Sequence, residues 1–157
     1  MIGCHKGYSL PAAAPLLTLE NMSLRFRGSP VDLIEDLSLS VSAGETLCLV
    51  GESGCGKSVT AMAMMGLLPR DATELGSGTL TFEGRRYDLS RGEGLDRLRG
   101  DRIAMIFQEP MTSLNPAFRI GDQIAEAVSC HRRVTDKEAR QRALDLLRRV
   151  GLSLIHI

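Results

Sequence analysis

Eight consecutive residues, Gly51, Glu52, Ser53, Gly54, Cys55, Gly56, Lys57 and Ser58, combine the side chains and the spacing needed to grip a chain of phosphates. Gly51, Gly56, Lys57 and Ser58 satisfy the pattern G-x-x-x-x-G-K-[ST], which carries this chemistry when a strand precedes it and a helix follows. Glycines let the backbone curl until consecutive N–H groups, from about Gly54 to Ser58, converge on phosphate oxygens. A helix starting near Lys57 adds the positive end of its dipole. Lys57 then brings a point charge to the β- and γ-phosphates, and the Ser58 hydroxyl completes the shell of a Mg²⁺ ion. Ser53, Cys55 and Val59 complete the expected nucleotide-contacting set. Cys55 reads as a small loop filler whose modification would block the nucleotide.

The elements around the loop supply the context the pattern requires. Residues 46–50, Thr-Leu-Cys-Leu-Val, form a continuous apolar run that suits a strand covered on both faces. Residues 58–68 read as a helix stopped before Pro69, with Val59, Met62, Ala63, Met65 and Gly66 on one face. Upstream, residues 16–26 and 33–41 alternate apolar with polar, as half-buried antiparallel strands do, and residues 28–30 turn between them. Downstream, residues 76–89 predict another strand pair and residues 94–100 a brief helix. Residues 103–107 repeat the buried-strand pattern, and two helices follow, over 120–129 and 136–150.

Bulk properties narrow the class. A chain of 157 residues, 43% apolar and 24% charged, is long enough to bury one core. Nineteen basic and nineteen acidic residues cancel, leaving no overall field for a polyanion, so nucleic acid is not an expected partner. The Arg-rich run over 131–150 reads as a solvated helix face. Four cysteines without a CxxC pair or histidines at ligand spacing predict reduced thiols and no zinc site. The longest nearly apolar stretch, 61–69, is about half of what a membrane span needs. Residues 1–15 read as a loose tail without a secretory signal.

A phosphate loop alone is shared by GTPases, kinases, helicases and transport ATPases. The stretch Ile-Ala-Met-Ile-Phe-Gln-Glu-Pro-Met-Thr-Ser-Leu-Asn-Pro, residues 103–116, separates them. Gln108, directly after the expected strand, resembles the Q-loop glutamine of ABC-type ATPases. Residues 109–116, 51–69 and 121–128 resemble the subfamily that energises uptake of oligopeptides, dipeptides, glutathione or nickel, and the likeness covers 16–151. It implies an α/β fold: an incomplete ABC-ATPase domain with an antiparallel β subdomain, a partial parallel core and the start of a helical subdomain. It also implies ATP and Mg²⁺ as ligands, with Lys57 and Gln108 in catalysis, Gln108 touching the metal and the attacking water beside Ser58. Phe26 would stack on adenine, although core packing uses the same flat surface. Residues 110–115 would contact membrane-spanning permease subunits, a second nucleotide-binding domain would complete two ATP sites, and the protein would sit peripherally on the cytoplasmic face of the inner membrane.

Hydrolysis in that family also needs an LSGGQ-type signature, four apolar residues followed by Asp-Glu, and a later histidine. Asp122, Asp136 and Asp145 follow no such apolar run. Residues 89–93, Leu-Ser-Arg-Gly-Glu, precede Gln108 and place Arg91 where backbone approach to phosphate needs glycine. His131 comes too early. The parent protein is therefore expected to be a transport-coupled ATPase, and this chain to give no steady turnover. A non-hydrolysing nucleotide-binding remnant or regulatory module, and a P-loop enzyme outside transport, are the rival readings. Gly151 stands where a helix C-cap belongs. Residues 152–157 resemble the translated sequence of a transposase adapter and are expected to be non-native. Two parallel strands without flanking partners would leave apolar faces open, so a poorly soluble or molten state is expected.

Overall fold

The computed structural model describes residues 15–108 and 113–152 in full, together with the backbone of the strand Gly3–His5. The chain divides into two units, 1–99 and 100–157.

The first unit is built on a four-stranded antiparallel sheet. Strands β2 (Leu17–Phe26), β3 (Ile34–Val41), β5 (Thr73–Phe82) and β6 (Arg85–Asp88) lie in the order β3-β2-β5-β6. Leu19, Met22, Leu24, Ile34, Leu39, Leu80 and Phe82 are buried. Each such side chain contributes about 1.5–3 kcal/mol by leaving water. The regular ladder expected from the sequence is interrupted in both strands: Leu19 and Met22 are both buried although three positions apart, and Met22 and Leu24 pair with Leu37 and Ile34, which are also three apart. Asn21 (φ 51°) and Asp36 (φ 48°) take left-handed conformations there, and the ladder register shifts between Leu19 and Met22 and again between Met22 and Leu24. Polar side chains stitch this bulge. Asn21 Nδ2 donates to Asp36 Oδ1 at 2.7 Å, and Ser77 Oγ donates to the Asn21 carbonyl at 2.7 Å.

Two expected strands come out differently. Of residues 46–50 only β4 (Cys48–Val50) is extended. It pairs antiparallel with β1 (Gly3–His5), a strand inside the segment expected to be a loose tail, and Val50 is 56% exposed. Residues 104–107 form no strand, and Ile106 is 97% exposed. A strand covered on both faces exists only where neighbours supply its ladder and its cover. Among the described residues every strand pairing is antiparallel, so the expected parallel pairing is absent there. The expected helix over 58–68 is realised as α1 (Lys57–Met64), and the brief helix as a 3₁₀ turn, Leu95–Arg97.

The second unit contains a helical hairpin, α2 (Ile120–His131) and α3 (Asp136–Arg149). Ala125, Ala139 and Ala143 form its buried seam, flanked by Ile124, Val128 and Val134. Thr135 and Glu138 form a reciprocal capping box at the start of α3. At its end Gly151 (φ 78°) donates to the Arg148 carbonyl and Leu152 to the Leu147 carbonyl, both at 3.0 Å. That is the Schellman arrangement, so Gly151 caps the helix as the sequence predicts. Residues 153–157, most of the expected non-native tail, lie outside the described residues.

Candidate nucleotide site

The loop between β4 and α1 has the conformation its glycines allow. Gly54 (φ 83°) and Gly56 (φ 97°) are left-handed, a region that costs other residues about 1–2 kcal/mol. Gly56 is also hemmed in, because a β-carbon there would lie 3.1 Å from Ile34 Cγ1 on β3. A β-carbon on Gly51 would meet Cys55 Sγ at 2.5 Å. Gly56 is thus favoured by torsion and by close approach, and Gly51 by close approach to Cys55 alone.

Gly56 serves as the N-cap of α1, and no side chain caps the helix. The N–H groups of the first turn keep their capacity for an outside acceptor. Behind them, the Thr60 hydroxyl and N–H both donate to the Gly56 carbonyl, at 2.9 and 2.8 Å, and fix the turn. Lys57 folds back across the loop. Its ammonium donates to the Gly51 and Glu52 carbonyls at 2.7 Å each and lies 3.4 Å from Cys55 Sγ. Ser53 and Ser58 are exposed, while Cys55 and Val59 are half-buried. The residues therefore fit a phosphate chain: glycine-enforced curvature, uncapped donors and a cation already held at the loop.

At the far end of β2, Phe26 is 48% exposed and does not belong to the core. Its strand end is pinned on several sides. Arg25 pairs with Glu74 on β5 at 2.7 Å, Arg27 N–H donates to the Ala72 carbonyl at 2.9 Å, and the Phe26 carbonyl accepts from Ser29 at 2.9 Å. The hydrogen bond from Arg25, followed by its charge, holds the Glu74 carboxyl below the usual carboxylate range, and the same bond raises the Arg25 guanidinium. Arg25 is exposed and Glu74 only half-buried, so the pair positions the strand end more than it stabilises the fold.

Gln108 belongs to the second unit, where it is exposed. Residues 110–112 of the expected permease contact lie outside the described residues, and Ser113, Leu114 and Asn115 are exposed.

Two supporting residues escape sequence reasoning. Arg99 donates to the Met65 and Gly66 carbonyls at 3.3 and 3.0 Å, closing the C-terminal end of the phosphate-loop helix with a cation. Gln123 ties the segment ahead of α2: its amide donates to the Asn115 and Phe118 carbonyls at 2.9 and 3.1 Å, and its oxygen accepts from Asn115 N–H at 2.9 Å. Only the Asn-Pro pair before a helix start hinted at the second.

The ABC transporter family model matches residues 34–156. Over 140 residues the chain is 40% identical to the oligopeptide transport ATP-binding protein AppD of Bacillus subtilis (strain 168), covering 88% of this chain and 43% of that protein. It is 44% identical over 148 residues to a probable peptide ABC transporter ATP-binding protein of Sinorhizobium fredii, covering 92% of this chain and 44% of the relative. The chain thus spans less than half the length of these curated relatives. Among solved structures, a dimeric post-hydrolysis ATP-binding cassette bound to ADP and Pi superposes with a TM-score of 0.66 at 20% identity, over 88% of this chain and 58% of the other. That likeness carries the fold alone. With the family match extending from the first residue of β3 through both helices of the second unit, the chain belongs to the ABC transporter family of ATP-binding proteins.

Proposed function

We propose that this chain holds the nucleotide-gripping part of an ATP-binding subunit that couples ATP binding and hydrolysis to uptake of peptides or related solutes through an ABC importer. The observation that carries the reading is the Gly51–Ser58 loop, curled by left-handed Gly54 and Gly56 ahead of an uncapped helix, with Lys57 held at its carbonyls. The names of the relatives, which include oligopeptide and peptide transport ATP-binding proteins, support the solute class.

In this reading the N–H groups of residues 54–58 orient the phosphates and Lys57 neutralises them. Ser58 would hold Mg²⁺ through its hydroxyl, and by the resemblance Gln108 would be the second protein group to serve the metal. Gly51, Ser53, Cys55 and Val59 line the cradle, and Phe26 presents a ring face to the base. Bound Mg–ATP supplies the phosphoanhydride whose cleavage drives transport. The segment 110–115 contacts the membrane-spanning permease, and a second nucleotide-binding domain completes each site. No described helix is long and apolar enough to cross a membrane. In this reading the subunit sits peripherally on the cytoplasmic face of the inner membrane, as the resemblance implies.

The test is titration of the chain with a fluorescent ATP analogue in the presence of Mg²⁺. Saturable binding that weakens by about ten- to a hundredfold in Lys57→Ala is expected, as for loss of charge-assisted hydrogen bonds. Binding unchanged in that variant would sink the assignment. The missing Asp-Glu after an apolar run favours a second reading for the chain by itself, a nucleotide binder without turnover. Phosphate release abolished by Lys57→Ala would reject it.

A further inference from the structure

Thr60 and Ala63 are the buried residues of α1, and Thr60 is wholly shielded from solvent. A buried hydroxyl costs stability unless it is hydrogen-bonded, and valine fills nearly the same space without that cost. The partner of this hydroxyl is the Gly56 carbonyl, which accepts from Thr60 Oγ1 at 2.9 Å and from the Thr60 N–H at 2.8 Å. The N–H bond is the ordinary helical one from a residue four positions on, and it satisfies the carbonyl by itself. The hydroxyl is therefore surplus to the helix, and back-bonding of this kind tends to destabilise one slightly.

Its effect falls on the peptide unit between Gly56 and Lys57. Gly56 sits at φ 97° and ψ 3°, and with no β-carbon its own side chain does nothing to hold that conformation. The Gly56 carbonyl and the Lys57 N–H belong to one planar trans unit and point in opposite directions. Two donors that keep the oxygen within the helix thus aim the Lys57 N–H out of it, among the uncapped donors of the first turn. Ile34 on β3 closes the other side of Gly56, where a β-carbon would lie 3.1 Å from its Cγ1. The Lys57 ammonium reaches instead to the Gly51 and Glu52 carbonyls at the start of the loop. Lys57 thereby ties the front of the cradle, and Thr60 the rear.

We infer that Thr60 is a positioning residue for the phosphate chain: its hydroxyl holds the Gly56–Lys57 peptide at the angle that presents the Lys57 N–H to a phosphate oxygen, an inference that rests on the nucleotide reading of the loop. The probes are a fluorescent ATP analogue and inorganic tripolyphosphate, which carries the phosphates without the base. Both are measured with Mg²⁺ on the 157-residue chain, the second by displacement of the first. Thr60→Val and Thr60→Ala lack the hydroxyl but keep the backbone bond, and alanine also suits a helix. Each should weaken the two ligands by the same factor, about three- to tenfold, the worth of one intramolecular hydrogen bond. Thr60→Ser should restore the parental affinity, and the melting temperature of the ligand-free chain should move little in all three. Four results would overturn the inference while Lys57→Ala still weakens binding and so leaves the nucleotide reading intact: parental affinity in the hydroxyl-free variants, a Thr60→Ser variant as weak as Thr60→Val, loss for the nucleotide alone, or unfolding of both hydroxyl-free variants. A parent chain that binds neither ligand would remove both readings.

Discussion

At the residue scale, Lys57 and Gly56 do different work in the same loop. Lys57 contributes charge, and its loss should cost affinity without disturbing the fold, since it bonds only to its own loop. Gly56 contributes shape. Gly56→Ala must hold a left-handed torsion and press a methyl towards Ile34, so it should cost about 1–2 kcal/mol of stability and also abolish nucleotide binding. Thermal denaturation with and without nucleotide separates the two effects. Phe26→Ala should weaken the fluorescent nucleotide by roughly tenfold, in line with the worth of a base–aromatic stack, while the melting temperature stays put because the ring is half exposed. A large loss of stability in that variant would return Phe26 to the core.

At the element scale, α3 is the best-specified piece of the chain. The Thr135 cap should contribute about 1 kcal/mol, lost in Thr135→Ala and read by urea unfolding. Its partner Glu138 titrates below the usual carboxylate range, because it accepts first from the Thr135 N–H and then from the Thr135 hydroxyl. A lowered folded-state value means that the stabilisation is complete above the ordinary carboxylate value and is lost as pH falls through the folded one. Acidification should therefore narrow the stability gap between the parent chain and Glu138→Gln, and a gap that stays constant with pH would disprove the linkage. The C-cap of α3 was read from the sequence and the capping box at its start was missed, although Thr135, Glu138 and Gly151 all act within a turn of themselves. The bulge at Asn21 was not legible, since it depends on Asp36, Ser38 and Ser77 from two other strands. Residues 46–50 and 103–107 misled for a related reason. Their apolar runs encode a preference for burial, but burial of a strand depends on what lies beside it.

At the scale of the whole molecule, apolar surface is left in water. Val50, Ile106, Phe107 and Phe118 are all exposed. The isolated chain should enhance the fluorescence of an apolar-surface dye, and the double variant Ile106→Ser, Phe107→Ser should reduce that signal. A silent dye in the parent chain would contradict the expected open face. The local context of the phosphate-loop pattern, by contrast, was readable in the sequence. Eight contiguous positions carry their own geometry, and the strand-then-helix context is met by Cys48–Val50 and Lys57–Met64. The roles proposed for Gln108 and the segment after it rest on resemblance rather than on packing.

The double capping of α3 also bears on time. A hairpin whose contacts join Ala125 to Ala139 and Ala143 closes a short loop, and helices of this length relax in about a microsecond. The sheet of the first unit must bring Arg25 to Glu74 across 49 positions before β2 and β5 can pair. Such distant closure is slow. On refolding from denaturant the hairpin should therefore close within microseconds, while the sheet is still searching for its register.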